Sequence, residues 1–129
     1  MPYPLFCAII GDKEAFPIIV LETESVGELK VRIKAEKAQT LAPVAASALT
    51  LYKVDIPVAE AYPEVMRAIS QSATCAQVLR AIQPQNTVED TLKLTNPFHE
   101  LSTIYPSTPA RYTIHILVQL PPGESPSLT

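Results

Sequence analysis

The chain has 129 residues, 47% of them hydrophobic, with 13 prolines, three glycines and no tryptophan; this composition fits one folded domain with proline-punctuated connections and argues against a disordered chain. Its formal net charge is −3, with lysine and arginine scattered among the acids, so the electrostatic footprint for gripping a phosphate backbone is missing and nucleic acid is not an expected partner. Cys7 and Cys75 lie far apart in apolar settings, which reads as two inert buried thiols and not as a disulfide.

The apolar run Leu5 to Ile10 has no basic stretch before it and is cut short by Asp12, Lys13 and Glu14, so it is too short and wrongly flanked for an ordinary secretory leader. No segment reaches the length of a membrane span. Leu5 to Ile10 and Ala15 to Leu21 are β-rich runs divided by a glycine and charged residues, the pattern of a β-hairpin. Ser25-Val26-Gly27-Glu28 then supplies both halves of a reciprocal capping box, a helix start. Val26, Leu29 and Ile33 mark one apolar stripe on a helix ending near Lys37. Lys30, Arg32, Lys34 and Lys37 are expected on its solvated side, with Glu28 and Arg32 spaced as an i, i+4 pair.

A loop from Leu41 to Ala48 leads to a third strand, LTLYKV, at Leu49 to Val54. In the middle of the chain, Pro63 with EVMRAIS and Ala76 to Ile82 after Thr74 read as two helices. Pro84 to Thr87 breaks the chain, Thr87 with Asp90 starts a further helical turn or short segment running to Leu94, and Asn96 to Leu101 reads as a short capped helix ending before Pro106. In the last strand Ile114, Ile116, Val118 and Leu120 alternate with Thr113, His115, Leu117 and Gln119, the first set expected to face the core. Pro121 and Pro122 cannot donate to a ladder and end it; GESPSLT beyond has the composition of a flexible tether.

A hairpin, one amphipathic helix, a third strand, and a final strand after a short helical turn is an order that resembles the ubiquitin-like β-grasp. LSTIY at 101 to 105 followed by TIHILVQL at 113 to 120 is similar to the turn and last strand of ubiquitin. The resemblance implies an α+β fold, a five-membered mixed sheet packed on one main amphipathic helix, with an inserted helical segment between the third and last strands. Where ubiquitin ends in a diglycine, this chain has Pro121-Pro122-Gly123, which argues against conjugation as a modifier.

Two short motifs are more specific. Leu49-Thr50-Leu51-Tyr52-Lys53 resembles the LFLAK-type motif of the N-terminal domains of Crinkler effectors, keeping both leucines and the lysine but departing at Thr50 and Tyr52. His115-Ile116-Leu117-Val118-Gln119-Leu120-Pro121 resembles the HVLVVVP-type junction that closes the same domains, with His, Leu, Val and Pro in register. LFCAIIG at 5 to 11 and SVGELKVRIK at 25 to 34 are similar to the first strand and the helix of that family. The resemblance implies a ubiquitin-like Crinkler domain over residues 1–121, the start of a linker at 122–129, and a separate C-terminal domain carrying any activity. It further implies a secreted protein that enters a host cell, reaching cytoplasm or nucleus with its C-terminal domain attached.

No nucleophile with a base, paired carboxylates, metal-ligand spacing or phosphate cradle is visible: the histidines are His99 and His115, and the glycines stand at 11, 27 and 123. No catalytic residue, cofactor or metal is expected. Protein partners are expected, a homodimer among them; the alternative to a delivery module is an intracellular interaction or oligomerisation domain using a sheet face or edge. His115 and Leu117 either form an exposed contact patch or lie under the inserted segment.

Overall fold

The computed structural model describes residues 2–12, 14–41, 44–72, 74–82, 93–106 and 112–121. Strands β1 (Pro2–Ile9) and β2 (Ala15–Leu21) form the expected hairpin, with Leu5 opposite Ile18 and Cys7 opposite Phe16. The chain reverses where Gly11 adopts a φ of 98°, a left-handed conformation that costs glycine little. In β2, Phe16, Ile18 and Val20 point inward while Pro17, Ile19 and Leu21 are exposed, the period of two that a half-buried strand imposes.

Helix α1 (Val26–Glu36) begins at the anticipated capping box. Ser25 Oγ accepts from the Glu28 N–H at 3.2 Å and Glu28 Oε1 accepts from the Ser25 N–H at 3.3 Å. The amides of Val26 and Gly27, also in the first turn, donate to the carbonyls of His99 and Pro97, each at 2.9 Å. Gly27 permits that approach: a Cβ there would lie 3.2 Å from the Pro97 carbonyl oxygen. This use of carbonyls corrects the expected helix at Asn96 to Leu101. Asn96 Oδ1 accepts from the Phe98 N–H in a local turn, Glu100 bridges Ser25, and only Leu101–Ile104, here α4, is helical. The 97–100 segment instead satisfies the orphan amides that every helix start leaves.

The cationic side of α1 is only partly solvated, contrary to expectation. Lys34 Nζ donates to the carbonyls of Leu41 and Val44, and Lys37 stands 5.1 Å over the Phe16 ring and 3.7 Å from Asp12. Arg32 pairs at 2.5 Å with Glu24, just before the helix, and not with Glu28. Glu24 is buried and its second oxygen accepts from the Leu21 N–H at 2.7 Å. Burial opposes its ionisation, but the hydrogen bonds from Arg32 and Leu21 and the charge of Arg32 outweigh this and hold its pKa below the ordinary 4.5. Below that pH the unfolded chain takes up a proton that folded Glu24 still refuses. The stabilisation is therefore whole above pH 4.5 and is lost as pH falls through the lower folded value. Glu24→Gln is expected to flatten the acid limb of a melting-temperature profile recorded from pH 6 downward, below about pH 4.5.

Strand β3 (Thr50–Pro57) follows, then helices α2 (Tyr62–Ser70) and α3 (Cys75–Ile82) and, after α4, strand β4 (Thr113–Gln119). Both middle helices stand where the sequence places them. Pro63 sits in the first turn of α2, and Thr74 and Gln77 exchange side-chain and backbone bonds of 3.2 and 3.3 Å at the start of α3. The helical segment expected at Thr87 to Leu94 lies mostly outside the described residues. Its end is extended: Lys93 bridges Tyr52, and the Leu94 N–H donates to the Leu51 carbonyl at 2.9 Å.

The sheet order is β2-β1-β4-β3, with β4 parallel to β1 and antiparallel to β3. The architecture is α+β and that of a β-grasp, with the last strand slotted between the first and third. Among the described residues it has four strands and not five; the Tyr52–Lys93 bridge lies along the outer edge of β3.

Both faces of the sheet carry a core. On one side Leu5, Cys7, Ile9, Leu51, Ile116 and Val118 pack with Leu29 and Ile33 of α1. On the other, Ala8, Ile10, Tyr52, Val54, Ile56, Ile114 and Leu117 pack with Ile69 of α2 and Leu79 of α3. The expected alternation in β4 therefore needs correcting. Ile114 is buried as anticipated, but it joins Leu117 and not Ile116. The cause is a bulge: Lys53 pairs with Ile116 and Ile56 with Ile114, leaving Val54 and Asp55 opposite His115 alone, which turns the strand locally.

Candidate functional site

The two family-like motifs are partners in one ladder. Thr50 faces Gln119, Leu51 faces Val118, Tyr52 faces Leu117 and Lys53 faces Ile116. Leu49, Leu51 and Tyr52 are buried and Thr50 is half-buried, so of the five residues only Lys53 is exposed. Its ammonium is nonetheless placed: Nζ donates to the Ile104 carbonyl at 3.1 Å and stands 5.1 Å over the Tyr105 ring. A cation at the last turn of α4 completes a helix end that otherwise leaves carbonyls unused, and the ring face adds a cation–π contact.

Tyr105 connects this lysine to His115. Its hydroxyl donates to the His115 carbonyl at 3.1 Å, and the two rings meet edge to face at 6.2 Å. Burial first, then the neighbouring Cys7, Tyr3 and Asp55, pushes the Tyr105 phenol far above its usual range, so it is a fixed donor. Tyr3, packed on Tyr105, donates its own hydroxyl to the Leu101 and Tyr105 carbonyls, each at 3.2 Å. Sequence pattern alone misses Tyr3 and Tyr105; Tyr105 follows a four-residue helix, where no periodicity flags a residue.

His115 is buried, its ring also 6.2 Å from that of Phe6. The β1–β4 ladder runs from Cys7 opposite Ile116 to Ile9 opposite Val118. One step further, His115 Nδ1 accepts from the Phe6 N–H at 3.0 Å, so a side chain continues what the backbone ladder stops. His115→Leu would leave that amide facing hydrocarbon. The expected loss is about 1–3 kcal/mol, read as a lower urea midpoint at unchanged m-value.

Leu117 is fully buried beneath α2 and α3, and so neither residue of the candidate contact patch is on the surface. Gln119 Oε1 accepts from the Cys75 N–H at 2.8 Å, joining β4 to the start of α3. Leu120 is buried and Pro121 half-buried. The tether expected from 122 onward lies outside the described residues. Cys7 and Cys75 are both buried thiols, and burial pushes the Cys7 pKa up, away from the reactive thiolate.

A ladder joining these two motifs, behind a capped helix, agrees with the family comparison: the model of the Crinkler effector protein N-terminal domain matches residues 4–119. The chain belongs to the Crinkler family. It is similar to Crinkler effector protein 1 of Rhizophagus irregularis, at 30% identity over 129 residues. That match covers 98% of this Crinkler chain and 23% of the relative, so the chain spans about a quarter of the length of the curated protein it resembles. No solved structure matches the chain. Among the described residues of this Crinkler domain, no helix is long and apolar enough to cross a membrane.

Proposed function

We propose that residues 1–121 form the non-enzymatic N-terminal domain of a secreted Crinkler-type effector, and that 122–129 open a linker to a C-terminal domain. This leading domain serves export and entry into host cells and offers surface for protein contacts. One observation carries this reading: the LTLYK stretch and the HILVQLP stretch, distant in sequence, lie on paired strands, with Thr50 to Lys53 opposite Gln119 to Ile116. Family membership supports it, since both stretches fall within or at the end of the matched region.

In this reading the motif owes its pattern to folding first. Its leucines fill the core under α1, and only Lys53 is available to a receptor. Delivery is tested by fusing residues 1–129 to a reporter and scoring export and host-cell entry. Lys53→Met, which leaves the buried leucines in place, separates recognition of the lysine from loss of the fold. Reporter confined to the producing cell, with or without intact Leu49 to Lys53, would sink the delivery role.

A further inference from the structure

The second sheet face is only half covered. Helices α2 and α3 lie over Ala8 and Ile10 of the first strand and its extension, with Ala15 of β2 packed at their border. Tyr62, in the first turn of α2, marks that border by accepting the Ala15 N–H on its hydroxyl at 3.2 Å. Beyond it the same face continues as Phe6 and Pro4 on β1 beside Pro17, Ile19 and Leu21 on β2. All five are exposed, Ile19 at 59% and Leu21 at 46%, and none is charged or polar. An uninterrupted apolar strip continuing a sheet face that is otherwise covered is a candidate contact surface.

The edge of β2 is a poor route for strand pairing, for a reason the alternation of the ladder supplies. Amides at 15, 17, 19 and 21 point away from β1. Ala15 gives its N–H to Tyr62, Leu21 gives its own to Glu24, and Pro17 has none. Only Ile19 remains to pair, so the contact uses the face. Five residues at about 3.4 Å each, on two strands about 4.8 Å apart, make a strip roughly 17 Å long and 10 Å wide with side chains included. A stable dimer needs about 800 Å² from each partner, several times that footprint. One helix is about 10–12 Å across and rises about 1.5 Å per residue, so about three turns cover the strip.

We infer that the outer face of the β1–β2 hairpin docks a single amphipathic helix of a protein partner, with Phe6, Pro17, Ile19 and Leu21 receiving its apolar stripe. The inference deepens the protein-contact part of the proposed function and does not depend on delivery, so the outcome of reporter uptake leaves it untouched.

The test selects from a displayed library of helix-forming peptides of about 18 residues on the 129-residue protein. Counter-selection uses Ile19→Glu, a substitution at an exposed site whose folding is checked by thermal unfolding. Enriched peptides are expected to carry apolar residues at i, i+3 or i+4 and i+7, and to lose at least about tenfold in affinity against Ile19→Glu. Amide shifts on binding should centre on residues 5–6 and 18–21. Three results would overturn the inference: no enrichment over the variant; enriched peptides that bind the variant equally or pair as extended strands; or a dimer in sedimentation equilibrium that Ile19→Glu dissolves, making the occupant a second copy.

Discussion

Leu51→Ala is expected to lower the free energy of unfolding by about 2–5 kcal/mol, a large share of the roughly 5–15 kcal/mol typical of a domain this size. Leu51, on β3, is fully buried opposite Val118 of the central strand β4, and it packs in the cluster beneath α1. Its removal takes away the transfer energy of the lost methyls and leaves a cavity whose walls belong to two strands and a helix. Urea unfolding followed by circular dichroism reads the change directly. A shift below about 1 kcal/mol would place Leu51 at a site that collapses freely and would contradict its packing. Alanine scanning of the LTLYK motif for delivery thus perturbs the fold before it tests a receptor, and Lys53 is the position where the two effects separate.

Leu117→Asp is expected to be more severe and to leave no cooperative thermal transition at neutral pH. The residue has no solvent exposure and sits between the sheet and helices α2 and α3. An unpaired carboxylate there costs several kcal/mol, beyond the lost apolar contact. The same substitution at Ile19, on the uncovered part of that sheet face, is expected to change stability by less than about 0.5 kcal/mol. The contrast is diagnostic of the insertion. Were α2 and α3 merely appended to the sheet, Leu117→Asp would be as mild as its counterpart in β2. Soluble, cooperatively melting Leu117→Asp protein would show that the helices do not form a second core.

Much of this fold is legible in the sequence because local chemistry and tertiary position agree. Ser25 with Glu28 announces α1, the helical spacing of Val26, Leu29 and Ile33 gives its buried stripe, and Pro63 and Thr74 introduce α2 and α3. Failures occur where long-range partners override local pattern. Asn96 to Leu101 has the residues of a short helix, yet its carbonyls are claimed by the amides of Val26 and Gly27. The alternation in β4 slips at His115 because β3 carries an extra residue opposite it, and nothing within either strand records the other's register. Arg32 has a suitable acid one turn earlier in Glu28, but buried Glu24 offers a less hydrated partner. Of the site, the pairing of the two motifs could be anticipated from the family's fold. The placement of Lys53 on Tyr105 could not, since it depends on where a four-residue helix ends.

Strand β4 joins β1, at the opposite end of the sequence, to β3. During synthesis neither of those strands has its permanent neighbour on that side until 113–119 has been made, and such distant closure slows folding relative to domains built from local contacts. The facing edges of β1 and β3 therefore stay open, and within reach of chaperones, until nearly the whole domain has left the ribosome.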